Sequence, residues 1–322
     1  MKHISLALVL SGIVAFAHAG QANAQQPQKI RVASAWAGLW DTSQPAFCQQ
    51  RGEFAKAGLD VEVTFVPGAS VTALASHAAD IAYSPSTATV LGAFRQGAKL
   101  KIISAQFRGQ NDTFFYVPSD SPIKTVADLK DKTIGFPRPG GPSENILIGL
   151  EAEQHLGFKR MATGPADATY TLVMTRQIDV GYGIPPALLG KVEEGQLRVL
   201  FTGDIVKSQR ETTSRVVAAT DEFLTKHRDA ATTFMRVLDQ CIDWAYANKP
   251  EAVKAYAEMN KIDAKTAEKA LQFYDRSALA FGPLSGFDQI VSEAIAAKFI
   301  DKPVSESEQR QVIDILYTTP AK

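Results

Sequence analysis

Arg138 stands between two prolines and just ahead of Gly140 and Gly141, in the stretch TIGFPRPGGPSENIL at residues 133–147. Its planar guanidinium suits a carboxylate or sulfonate, and the glycines let a ligand approach the main chain. Phe136 ends the apolar run before the turn. Ser143 is a good N-cap for a helix whose apolar positions Ile146, Leu147 and Leu150 recur at helical spacing before Gly157 closes it. A helix N-terminus there offers unpaired backbone N–H groups and a partial positive charge, so the loop suits an anion or a polar ligand. The plainer reading is a strand–turn–helix connection with a solvated arginine, and Glu144 inside the helix opposes a bound anion. Neither G-x-x-x-x-G-K-[ST] nor G-x-G-x-x-G occurs, which argues against a nucleotide.

Other chemistry-bearing residues lie at the ends of apolar runs. Trp36 and Trp40 share a loop with Gly38, where an indole can cover an apolar ligand face and still donate its N–H, or can serve as core. Ser84 and Ser86 flank Pro85 and offer hydroxyls, Ser86 alternatively capping the next helix. Asp41 can accept from an amine or cap a helix, and Tyr182 in VGYGIP brings a ring and a hydroxyl or simply packs. Signals of catalysis are missing: His77, His155 and His227 have no metal spacing, and G-x-S-x-G and H-E-x-x-H are absent. No cofactor or metal is expected.

These positions need elements to hold them. Strands are expected at residues 30–35, 61–66, 81–83 and 100–105, with helices at 42–57, 71–76 and 86–94 between them. A second unit repeats the pattern, with a short helix at 126–129, strands at 134–136, 180–182 and 199–201, and helices from 143, at 167–175 and at 185–194. After an extended run at 215–219 the chain reads as helices at 221–246, 250–259, 264–274, 288–299 and 305–317. Such alternation predicts a mainly parallel sheet covered by helices. The helical end has no sheet of its own and packs back on the first unit. The chain then crosses between units twice, near residues 115–117 and 213–217, and two crossings make a hinge beside a ligand crevice.

The start of the chain sets the compartment. Met1, Lys2 and His3 precede an apolar stretch at residues 4–17, and Ala22-Asn23-Ala24 has the form cut before Gln25, so residues 1–24 read as a signal peptide. Gln25 leaves no cysteine for lipid attachment, and a soluble periplasmic product is expected. The 34 Lys+Arg balance 34 Asp+Glu, so nothing suggests a nucleic-acid partner. Cys48 and Cys241 are either one bridge or two small buried residues.

The stretches LASHAADIAYSPSTATVLGAFRQGAKLKII and SPIKTVADLKDKTIGFPRPGGPSENILIGLEAEQHLGF resemble the periplasmic substrate-binding proteins of ABC importers, in the nitrate/taurine/sulfonate-type branch. The likeness runs from about Ile30 to Phe223. It departs at His77-Ala78, where a glycine commonly precedes A-D-I-A. It implies an α/β fold of the type II periplasmic-binding-protein kind: two lobes with mixed sheets flanked by helices, a two-strand hinge and a ligand cleft between. Lobe I is expected at residues 25–115 and 216–322, lobe II at 116–215. It places ligand contacts at residues 36–42, 84–86, 138–143 and 182–185, with 68–70 a weaker candidate. It further implies a small-molecule solute, an ABC transporter permease in the inner membrane as partner, and a monomer. The alternatives are a secreted enzyme related to the thiamine-pyrimidine synthases, whose cysteine-rich motif is missing here, and a ligand-sensing partner of a membrane receptor.

Overall fold

The computed structural model describes residues 26–321, so the expected signal peptide and its cleavage before Gln25 lie outside the described residues. The first part runs β1 (Gln28–Ser34), α1 (Trp40–Gln50), α2 (Glu53–Lys56), β2 (Leu59–Phe65), α3 (Ser70–Ala75), β3 (Ile81–Ser86), α4 (Thr87–Arg95) and β4 (Leu100–Arg108). The second has β5 (Phe114–Pro118), β6 (Thr133–Phe136), α5 (Pro142–Gln154), β7 (Lys159–Ala162), α6 (Ala166–Met174), β8 (Gly181–Gly183), α7 (Leu189–Glu193) and β9 (Leu197–Thr202). Then α8 (Lys207–Arg210) leads back to β10 (Thr213–Thr220). The helices α9 (Asp221–Ala247), α10 (Lys249–Asn260), α11 (Ala264–Leu271), α12 (Phe287–Ala296) and α13 (Glu306–Val312) follow.

The first sheet has the order β2-β1-β3-β10-β4. Pairs β1–β2 and β1–β3 are parallel, while β10 runs antiparallel to both β3 and β4. Four of the five strands thus run the same way, as expected, and the sheet is mixed only through β10, for a reason of connectivity: β4 runs out to the second unit and β10 returns from it. The second sheet, β8-β5-β9, is antiparallel. A parallel pair β6–β7 joins its β8 side through the Ile134–Val180 bridge. Strand β7 was not expected, because KRMA is exposed along its whole length and shows no apolar alternation.

The crossings fall at residues 109–113 and 203–212, between strand ends, rather than at 115–117 and 213–217. Phe114–Pro118 and Thr213–Thr220 are apolar because they are the middle strand of the second sheet and an inner strand of the first. Along β5, Phe114 and Tyr116 face one core, and Phe115 and Val117 face the other, as the two-residue period of a strand requires. The first of these cores also holds Ile30, Phe47, Phe234 and Leu238, so it continues from the first unit into the second. The opposite face of the first sheet, with Ala82 and Val216, shares a core with Leu91 of α4 and with Ile290 and Val304 of the helical end.

Several boundaries moved for local reasons. The helix expected at 42–57 starts at Trp40 and breaks at Gly52, whose φ of 72° is left-handed. The helix after Arg138 is capped by Gly141 rather than Ser143, with Pro142 in its first turn, and it ends at His155 rather than Gly157. Residues 185–188 are irregular, and helix α7 begins only at Leu189. At His77-Ala78, where the resemblance led us to expect a glycine, His77 takes a left-handed φ of 58° itself.

Cys48 of α1 and Cys241 of α9 form a disulfide, with Cα atoms 6.0 Å apart and a sequence separation of 193. The bridge fastens the first helix of the chain to a helix entered only after the return crossing, which closes a very long loop. Replacing both cysteines by alanine is expected to cost about 2–4 kcal/mol of unfolding free energy. Urea titration of the oxidised parent and the double variant measures it, and equal midpoints would show that the bridge adds no stability.

Candidate functional site

The loops that follow β1, β2, β3, β6 and β8 open on the same side and, with both crossings and α12, enclose a cleft of about 660 Å³ between the two units. This is where an open α/β sheet presents ligand-binding loops, outside the carboxyl ends of its strands.

Most of the expected residues meet there: Trp36, Ser84, Ser86, Arg138, Gly140, Gly141, Ser143 and Tyr182 line the cleft, as do Gly68 and Ser70. Trp36 is 47 % exposed at its mouth. Arg138 is exposed, and its guanidinium makes no hydrogen bond or ion pair with any described residue, while its carbonyl accepts from the Gly141 N–H at 3.4 Å. Ser86 caps α4, accepting from the Thr89 N–H at 3.3 Å. The Tyr182 hydroxyl donates to the Gly164 carbonyl at 2.8 Å, and burial pushes its pKa up to about 12.

Three expected residues do not line the cleft. Trp40 is fully buried, because helix α1 starts at this residue and turns the indole edge-on to Phe47 and Tyr256, with its N–H 3.3 Å from the Tyr246 hydroxyl. Phe136 belongs to the core of the second unit. Asp41 lies beneath the cleft floor and acts through two residues that do line it, accepting from Ser84 Oγ at 2.9 Å and from Arg215 Nη1 at 3.0 Å. Ser84 has a left-handed φ of 65°, a strained conformation for a residue with a Cβ, and this hydrogen bond helps hold it.

The N-terminus of α5 is less open than its sequence suggests. Gly140 N–H is taken by Glu144 Oε2 at 2.7 Å, and Glu144 is itself paired with Arg160 at 3.2 Å. Pro142 has no N–H, and those of Glu144 and Asn145 turn back to the Gly141 carbonyl. What remains for a ligand is the N–H of Ser143 and its hydroxyl, 3 % exposed, lining the cleft and without a partner among the described residues.

Several lining residues went unrecognised in the sequence: Gln110, Thr113, Asn145, Gln209, Arg215, Glu293 and Phe299. The polar run GQNDT between two apolar strands was a usable signal for the first pair. Arg215 was visible only as the charged start of an extended run, and Glu293 as one acid on a helix. Arg215 Nη2 lies 2.6 Å from Asp112 Oδ2, so one guanidinium serves two carboxylates that are fully buried. Burial works against its charge, but Asp112 and Asp41 outweigh it and hold its pKa above the usual range. Burial also pushes the Asp112 carboxyl up, against the pull of Arg215.

Two acids bridge the units. Glu293 of α12 accepts from Asn145 Nδ2 of α5 at 3.0 Å and from Gln209 Nε2 of α8 at 2.5 Å. On the other flank Glu193 of α7 pairs with Lys265 at 2.5 Å and with Lys269, both on α11, and these partners hold its carboxyl below the usual range.

Against known proteins, the family described as NMT1/THI5 like matches residues 46–252. A binding protein of Brucella abortus (strain 2308) is 27 % identical over 240 residues, covering 72 % of each chain. The periplasmic aliphatic sulphonate binding protein SsuA from Escherichia coli superposes with a TM-score of 0.74 at 18 % identity, over 92 % of this chain and 95 % of that one. The periplasmic nitrate-binding protein NrtA from Synechocystis PCC 6803 gives 0.60 at 16 % identity, over 89 % and 86 %. These structural likenesses establish a periplasmic-binding-protein fold.

The buried cluster yields a prediction about stability. Arg215→Ala leaves two buried carboxylates without their cation and is expected to cost about 3–5 kcal/mol. The folded state already binds the Asp112 proton more tightly than the unfolded chain does. The cost of ionising it is therefore absent below the ordinary carboxylate range and complete above the raised folded value. Removing Arg215 raises that value further, so the deficit should be largest near neutral pH and shrink on acidification. Urea midpoints of parent and variant at neutral and mildly acidic pH decide it; a deficit that grows on acidification contradicts the assignment.

Proposed function

The chain belongs to the NMT1/THI5-like family, and on that footing we propose that it is a periplasmic receptor that captures a small organic solute between two lobes and delivers it to an ABC transporter permease in the inner membrane. One observation carries this reading. The cleft is walled by loops from both sheets, and among the described residues the chain passes between those sheets only twice. A solute that touches both walls is bound best when they approach, so occupancy and closure are linked, and closure is what a permease can detect.

We place lobe I on residues 26–108 and 213–321 and lobe II on 114–202, with the crossings between them as the hinge. The solute contacts we assign are Trp36, Ser84, Ser86, Arg138, Gly141, Ser143 and Tyr182 from the expected set, joined by Gln110, Thr113 and Arg215. Arg138 is the cation with nothing to neutralise it, and the solved neighbours named for aliphatic sulphonate and for nitrate are receptors for anions. An acidic group on the solute is the natural partner for it. The one cleft hydroxyl we find donating to a carboxylate, Ser84 to Asp41, meets an acid already ion-paired with Arg215, and both cysteines are spent in the bridge, so we read a binder rather than an enzyme. The processed protein acts as a monomer in this reading.

Small-angle scattering and melting curves test it, on protein stripped of solute by unfolding and refolding. Adding back the compound released by unfolding protein from its native host should shrink the radius of gyration and raise the melting temperature by mass action. An unchanged radius at saturation rejects closure. Arg138→Ala should weaken binding by about 1.5–3 kcal/mol, the range for a hydrogen bond to a charged group, and the loss should diminish in high salt. Trp36→Ala should weaken it with little salt dependence, because contact area is lost rather than charge.

A further inference from the structure

Helix α12 of lobe I turns one stripe of residues toward lobe II. Gln289, Glu293 and the C-cap Ala297 are spaced by four and so lie on one face. In the middle of the stripe, Glu293 Oε2 accepts from Asn145 Nδ2 of lobe II at 3.0 Å, and its Oε1 accepts from Gln209 Nε2 of the return crossing at 2.5 Å. Gln289 Nε2 steadies the same carboxylate from its own helix at 2.7 Å. An ionised carboxylate only accepts, so it fixes which end of each amide faces it. At the end of the stripe, Gly140 comes so close that a Cβ built on it would stand 3.2 Å from Ala297 Cβ, and its φ of 72° is left-handed. The Gly/Pro loop of lobe II therefore rests on lobe I at a point where a side chain would have to push Ala297 aside.

This clasp differs from the contact on the other flank. Glu293, Asn145, Gln209, Gly140 and Ala297 all line the cleft, whereas Glu193 and its two lysines do not. The clasp also shares its lobe II side with the donors left for a solute. Residues 138–145 present Arg138 and Ser143 to the cleft and set Gly140 and Asn145 against α12. When the lobes part, water takes the place of the two cross-lobe amides at little net cost, so the clasp does not hold the lobes shut by itself.

We propose that Glu293 is a positioning residue for solute retention: it clasps the loop that holds the solute's acidic head and so sets the closed fraction, without touching the solute. This rests on the receptor reading above. A solute pinned by Arg138 and Ser143 fixes residues 138–145 where Gly140 and Asn145 meet α12, and the clasp in turn keeps that segment over the solute. Apparent affinity scales with the fraction of molecules in the binding-competent form, so loosening the clasp weakens binding. The solute enters the open form, in which the clasp is not made, and the loss therefore falls on dissociation.

Stopped-flow binding is the test, with the compound released by unfolding protein from its native host as the probe. Glu293→Ala should raise the dissociation rate about threefold to tenfold and leave the association rate within about twofold of the parent. Adding Asn145→Ala to Glu293→Ala should cost less than about twofold more, because its cross-lobe partner is already gone. Ala297→Leu, a wedge beneath Gly140, should also speed dissociation and should enlarge the radius of gyration at saturation. If Glu293→Ala does not fold, Asn145→Ala and Ala297→Leu carry the test by the same split of rates. Dissociation unchanged in the variants, or a loss that falls on association, overturns the clasp. So do Glu293 and Asn145 losses that multiply independently, which would make Glu293 a direct solute contact. In each of these cases a parent that binds and contracts leaves the receptor intact. A parent that binds the compound without contracting, or does not bind it, overturns both readings.

Discussion

A single guanidinium joins the three parts of the chain that meet at the floor of the cleft. Asp41 comes from the first turn of α1, Asp112 from the outgoing crossing, and Arg215 from β10 just after the return. The strand is irregular at this point: its register against β4 shifts on both sides of Arg215, and its register against β3 shifts after it. Such irregularities re-aim a side chain out of the regular alternation, and here the re-aimed residue lies over the Phe107 ring, 5.0 Å from its centroid. Both hinge segments are therefore referenced to the same point in lobe I. Ser84, through Asp41, inherits its position from that point too.

What holds the lobes together is lighter. Glu293 reaches Asn145 and Gln209 on one flank, and Glu193 reaches the two lysines of α11 on the other. Contacts of this sort to side chains near the surface contribute little net, because water can take their place. They set a shallow preference. A solute that spans both walls then needs only a few kcal/mol of differential affinity to move the population decisively. The continuous apolar core beneath β5 limits how far such opening can go, since Phe114 and Tyr116 share a core with the helical end of lobe I.

The architecture was legible because it depends on period and punctuation. Alternating apolar runs, Gly58 and the Gly/Pro turn after Phe136 mark elements that the structure contains, within a few residues. What the sequence hid were effects of pairing between distant segments. The antiparallel insertion of β10 follows from the crossings and has no local trace, and neither does β7, which is exposed throughout. Among site residues, those on strand-end loops were found, whereas Arg215 and Glu293 were missed because each matters through partners more than 70 residues away in sequence. The cysteine pair shows the same limit: two lone cysteines carry no signal of pairing until α1 and α9 are seen side by side.

The fates of two tryptophans four residues apart show how the fold divides labour at the site. Both sit where an indole could cover a ligand, but helix α1 begins between them. A residue that starts a helix packed on α9 and α10 is carried inward, and Trp40 fills the space among Phe47, Tyr246 and Tyr256. Trp36, still in the loop, remains nearly half exposed at the cleft mouth. Leaving so large an apolar surface in water forgoes the burial that an indole normally gains, and the fold around it gives no compensating contact. That unrealised burial is available to a solute. The same holds for the polar side of the cleft, where the N–H and hydroxyl of Ser143 have no partner among the described residues. Stability withheld at these positions is what binding can recover, and only a molecule that meets both the apolar mouth and the donors beside Arg138 recovers all of it.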